Sequence, residues 1–262
     1  MKQGKGPFGL CPRPQMKVTG LDEKSATRVL LALVVGMLAM VFMGIAAVLV
    51  KHAVVTGHWT LQMQQSFVRL FDLDAEGNIP TWYSSSLLLC ASLLLTWNSL
   101  IAEKRRDRRW WAFIASVFLY LSIDEAAVIH EMAVRPIREI FHTRGFLYYG
   151  WVIPGGICVL IFAIVSLRFW WRLPPHIRWL FALSAVIYVG STVGIDSIQG
   201  DFAEKYGDNS WAHDWTGVIE ESGEMFGVVL FNYAVLLHAI VAQAASASSR
   251  PQVLVQVKRA AN

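Results

Sequence analysis

Residues 26–50 read ATRVLLALVVGMLAMVFMGIAAVLV, an apolar run with one charge, Arg28, near its start. A helix climbs about 1.5 Å per residue, so about 20 apolar residues cross the hydrocarbon core of a bilayer. This run is long enough. It stands behind a polar tail and is too long for a signal-peptide core of roughly 7–15 residues. It reads as an uncleaved first transmembrane helix.

Five more segments repeat the pattern, at about Tyr83–Ala102, Trp110–Val134, Gly150–Trp171, Trp179–Ile198 and Thr216–Val241. The expected fold is all-α: a polytopic membrane helical bundle of about six transmembrane helices. Residues 26–241 form the membrane domain, with a long outer loop at 51–82. That loop carries Leu61, Phe67, Val68, Leu70 and Phe71 among polar residues and suits an amphipathic helix in the interface. Residues 1–25 and 242–262, rich in Gly, Pro, Ala, Ser and Gln, read as disordered tails. Composition agrees with a lipid-bathed chain. It is 55% hydrophobic and 16% charged, where soluble domains carry roughly a quarter charged residues.

The 23 Lys and Arg residues are distributed unevenly. Seventeen fall in the two tails, in Glu103–Arg109 and around Pro174; six fall in the other connections. Basic residues collect on the cytoplasmic side, so both termini are expected inside, in the plasma membrane of the cell. The same bias accounts for the net charge of +4 without nucleic acid, because the basic residues flank apolar spans and do not line a soluble face. Membrane lipids are the expected surroundings. Cys11, Cys90 and Cys158 show no zinc-like spacing and no disulfide framework.

The third span departs from the apolar pattern. It reads FLYLSIDEAAVIHE and puts Asp124, Glu125, His130 and Glu131 toward the outer end of a membrane helix. At 100° per residue, Asp124 and Glu131 fall on one face, to which Arg135 and Arg138 return as candidate counter-charges. The sixth span reads WAHDWTGVIEESGEMFG, with Glu220, Glu221 and Glu224 inside a narrow arc that His213 can join. The fifth span ends on Asp196. Three helices therefore bring seven carboxylates to one depth. Each ionised group at a span centre costs roughly 2.5–3.5 kcal/mol, so such groups are normally paired or bound to something. Asp and Glu with His and without Cys suit a hard or borderline divalent metal such as Fe, Mn, Zn or Ca. The expected ligands are Asp124, Glu125, His130, Glu131, Asp196, Glu220, Glu221 and Glu224.

A second motif, Asp72-Leu-Asp74-Ala-Glu76-Gly77-Asn78-Ile79, matches the start of a calcium loop. Asp72, Asp74 and Glu76 are its candidate ligands. Tyr83 stands where the bidentate Glu is expected, and Pro80 also departs from the pattern. The fourth span carries Pro154-Gly155-Gly156, which predicts a kink. Gly190, Ser191, Thr192 and Gly194 make part of the fifth span small enough for close helix approach.

With DLDAEGNIPTWYSS, LSIDEAAVIHE and EESGEMFG in view, the chain resembles an uncharacterised group of bacterial multi-pass membrane proteins with DE…HE and EExxEMxG motifs. The resemblance spans about residues 70–235 and implies no particular activity. The DE…HE helix is also similar to the carboxylate–histidine helices of four-helix di-iron proteins, but Glu125 and His130 are five apart, in place of Glu-x-x-His.

Three functions fit these residues. One is a metal-dependent membrane enzyme acting on a lipid or another apolar molecule. Another is a proton- or cation-coupled transporter, for which Asn98, Asn232 and His238 would continue the polar trail inward. The last is an accessory subunit whose acids pair for structure.

Overall fold

The computed structural model describes the backbone of residues 22–54 and 56–260, and side chains up to residue 245 apart from Val55. Among the described residues the fold is helical without strands, and six helices or joined helices are long and apolar enough to cross a membrane. They are α1 (Glu23–Lys51), α3 (Ile79–Ile101), α4 (Arg105–Ala127), α6 (Val152–Trp170), the pair α7 (Pro175–Val189) and α8 (Asp196–Tyr206), and α9 (Trp211–Ala260). Between α1 and α3 lies α2 (His58–Phe71), an amphipathic helix with no buried residue and with Trp59 and Met63 widely exposed. A short α5 (Val134–Phe141) follows α4.

Local chemistry accounts for the helix starts. Asp22 caps α1 by accepting from the Ser25 amide at 2.9 Å. Asn78 caps α3 by accepting from the Thr81 amide at 3.1 Å, with Pro80 in the first turn, where its missing N–H costs nothing. The N-terminal tail before Asp22 lies outside the described residues.

The central element is α9, which packs on α1, α3, α7 and α8. At the end of the bundle bearing Arg105–Arg109, here the basic end, Leu95, Trp111, Phe169, Ile177, Phe181 and Phe231 form an apolar core. Toward the opposite, acid end a second core gathers Met37, Leu73, Leu87, Leu88, Met225 and Val229. Two buried amides lock α3 to α9 reciprocally. Asn98 Nδ2 donates to the Val235 carbonyl at 3.1 Å, and Asn232 Nδ2 donates to the Leu87 carbonyl at 3.0 Å. A Cβ at Gly227 would stand 2.9 Å from the Tyr188 backbone nitrogen, so glycine there allows α7 and α9 to touch backbone to backbone.

Four expectations need correction. The third span does not continue to Val134. It stops at Ala127 because Val128 takes a left-handed conformation, φ 60°, and a short tight turn, His130–Ala133, follows. The shared helical face of Asp124 and Glu131 is therefore lost, and neither Arg135 nor Arg138 forms an ion pair among the described residues. The fifth span, expected to end at Ile198, stays helical to Tyr206, held by burial of Gln199, Gly200, Asp201 and Ala203 and by a 2.6 Å Lys205–Asp201 pair. Pro154 makes no kink, since α6 starts at Val152 and places it in the first turn, where its missing N–H has no helical partner to lose. Finally, α9 runs as helix through residues 242–260, Pro251 included, where a disordered tail is expected.

Candidate functional site

The last turn of α4 carries Asp124 and Glu125. The turn at Val128 then folds the chain back over them. This brings His130 Nδ1 to 3.1 Å from Asp124 Oδ2 and His130 Nε2 to 3.5 Å from Glu76 Oε1. The histidine thus ties the loop before α3 to the end of α4, and the Trp151 ring packs on it at 5.2 Å.

The junction of α7 and α8 supplies Asp196. Residues Gly190–Ile195 form one wide, π-type turn, the kind of irregularity that re-aims the helix beyond it. It fits because α9 presents Gly223 to the Ser191 side chain and Gly227 to the Tyr188 backbone. Past the wide turn Asp196 points inward, 7% exposed, with the Trp151 ring N–H toward its carboxyl while its Oδ2 is buried and without a hydrogen-bond partner. From α9 come Glu220, Glu221 and Glu224. The charge of Glu224 acts on Glu125, on Glu220 and on Glu221, while Glu224 itself feels His130, Asp196 and Glu76. Asp124, Glu125, Asp196, Glu220, Glu221, Glu224, His130 and Glu76 therefore form one electrostatic cluster. Glu131 reaches it only by charge, from an exposed position.

Beneath the cluster is a cavity of about 10 Å³ with Glu125 and Glu224 on its wall and Leu87, Leu88 and Val228 as its floor. That volume is near the minimum for one water molecule. Among the described residues, Glu125, Glu131, Asp196, Glu220, Glu221 and Glu224 form no ion pair. Asp124 Oδ1 and Glu76 Oε2 are also buried without partners.

Outside the spans, two groups reflect this imbalance. Burial raises the Glu76 carboxyl to about 7, reinforced by Glu131, Glu125 and Asp124 and opposed by His130. Burial lowers His130, but its hydrogen bond to Asp124 and the charges of Glu76 and Glu125 prevail and raise it to about 9. His130 is thus the cluster's own cation near neutral pH.

The calcium-like loop arranges its acids differently. Asp72 faces Lys51 at 3.7 Å, Asp74 accepts from Gln199 and faces His213 at 3.7 Å, and Glu76 faces His130. Each carboxylate meets its own partner. With the side chains as they stand, no group of three or more His, Cys, Asp or Glu among the described residues surrounds a common metal position.

Sequence reasoning missed a second assembly beside the first. Asp214, 2% exposed, receives Lys51 Nζ at 2.8 Å and His52 Nε2 at 2.6 Å, and the His52 ring stacks on Trp211 at 3.9 Å. Next to it, Tyr149 Oη and His213 Nε2 lie 3.0 Å apart. This pins the end of α1 to the start of α9. The available signal was opposite charge at one depth: Lys51-His52 closing one span and His213-Asp214 opening another.

No curated protein and no solved structure matches the chain. Residues 29–239 match Domain of unknown function (DUF8692), and the chain belongs to that family.

Proposed function

We propose that the protein holds a divalent metal, Fe, Mn, Zn or Ca, among the carboxylates of the acid end, and uses it as a metal-dependent membrane enzyme on a lipid or apolar substrate. The observation that carries this reading is the excess of acid. Among the described residues Glu125, Glu131, Asp196, Glu220, Glu221 and Glu224 enter no ion pair, the one histidine of the cluster is held by Asp124 and Glu76, and Asp196 Oδ2 is buried without a hydrogen-bond partner. Carboxylates so placed need protons or a cation. A bound metal would polarise a substrate oxygen or activate a water. Glu125, Glu224 and Asp196 are the ligands we assign to it once their side chains turn to one position, joined by His130, oriented by Asp124, when the metal displaces its proton.

What supports a closed site over a conduit is the apolar Leu87, Leu88 and Val228 lining of the cavity. The orientation belongs to the same proposal: acid end outward, both termini cytoplasmic, in a bacterial inner membrane. It rests on the seventeen basic residues at one end against six at the other. Reporter fusions at Gly77 and after Asn262 should report opposite sides, Gly77 outside; one side for both would show the topology to be wrong.

Metal should also raise thermal stability. A ligand at about 100 times its Kd adds roughly 2.7 kcal/mol. Wild type should gain stability with one of Mn, Fe or Zn, Glu125→Gln and Glu224→Gln should gain little, and Glu131→Gln should keep most of the gain. Stabilisation by calcium alone, lost in Asp74→Asn, would move the site to Asp72, Asp74 and Glu76. No stabilisation by any of the four would favour proton-coupled transport.

A further inference from the structure

At the basic end, far from the acids, α4 and α6 part to leave a groove of about 200 Å³ lined by Arg109, Trp110, Phe113 and Val165. The helices meet there through aromatic rings, Phe113 against Phe162 at 6.1 Å, while most of α6 faces outward: Leu160, Ile161, Ile164 and Leu167 are all more than half exposed. The groove is apolar along its length and cationic at its mouth. Arg109 is exposed, and so is Arg168, which lies three residues beyond Val165 and so shares its side of α6. Neither arginine enters an ion pair among the described residues, whereas their neighbour Arg172 is held by Asp107 at 2.9 Å. Trp110, Trp170, Trp171 and Trp179 cluster at this end, as indole rings do at the headgroup level of a bilayer.

We infer that this groove binds an anionic phospholipid, with an acyl chain against Trp110, Phe113 and Val165 and the headgroup phosphate on Arg109 and Arg168. Charge complementarity selects the occupant. An apolar slot facing lipid takes an acyl chain, and two unpaired guanidinium groups at its mouth select an anionic head over a zwitterionic one. Lys24 and Arg28, exposed at the start of α1, belong to the same basic end but lie on another helix and do not line the slot.

The test uses full-length protein, purified and delipidated in detergent. Bound lipid is counted by native mass spectrometry with phosphatidylglycerol or phosphatidylcholine of identical chains. Each arginine near a phosphate is worth roughly a fivefold preference. Wild type should retain phosphatidylglycerol roughly 25-fold better, and Arg109→Gln/Arg168→Gln should lose that preference. Val165→Trp, which fills the slot, should lower binding of both lipids. Lys24→Gln/Arg28→Gln removes the same charge outside the groove and should keep the preference. Equal retention of the two lipids by wild type would overturn the inference, as would an equal loss in the Lys24/Arg28 variant.

Discussion

Asp214→Ala should destabilise the protein more than any other single change at the acid end. Asp214 is almost fully buried and takes Lys51 at 2.8 Å and His52 at 2.6 Å. Removing one partner of a buried pair leaves the other charge uncompensated and costs about 3–5 kcal/mol. Lys51→Met alone should also destabilise, because it leaves the carboxylate short of its nearest cation. The double variant Lys51→Met/Asp214→Ala should be less damaged than the sum of the two. Thermal and denaturant unfolding of the four proteins in one detergent reads this as a coupling energy. Strict additivity would mean that Asp214 does not hold α1 to α9 through Lys51.

Leu73→Ala should come next at about 2–5 kcal/mol, the usual cost of truncating a buried leucine. Leu73 is 3% exposed and fills the space a Cβ at Gly44 would occupy. It sits between Asp72, which faces Lys51, and Asp74, which accepts from Gln199. The leucine is therefore the apolar anchor of the acidic loop. Gly44→Ala should hurt through overlap with the same side chain, and Gly44→Ala/Leu73→Ala should recover part of the loss as the new methyl enters the vacated space. Absence of recovery in the double variant would show that the two residues act independently.

The spans were readable because about 20 apolar residues in a helix have few alternatives in a bilayer. Helix ends were harder. Val128 turns left-handed without Gly or Asn to announce it, inside an apolar run that looks helical. So Asp124 and Glu131 were assigned one face, while His130 was joined to Asp124 by a turn and not by helical phase. Pro154 misled because a shift of two residues in the helix start changes a kink into a harmless first-turn proline. The acids of α9 were legible, since they share one unbroken helix. The aim of Asp196 was not, because it depends on a wide turn admitted by Gly223 and Gly227 of another helix. Lys51 and His52 lie more than 160 positions from Asp214 in the chain, and only the packing of α1 on α9 brings them together.

Elemental analysis of the protein, purified from its membrane without chelator, bears most directly on the cation site. Glu125 and Glu224 face one cavity, and Asp196 keeps a buried oxygen without a partner. Wild type should carry a stoichiometric divalent metal, depleted in Glu224→Gln and in Glu125→Gln and largely kept in Glu131→Gln, whose side chain is exposed. Wild-type protein free of stoichiometric Fe, Mn, Zn and Ca, and unable to take one up on reconstitution, would contradict the account.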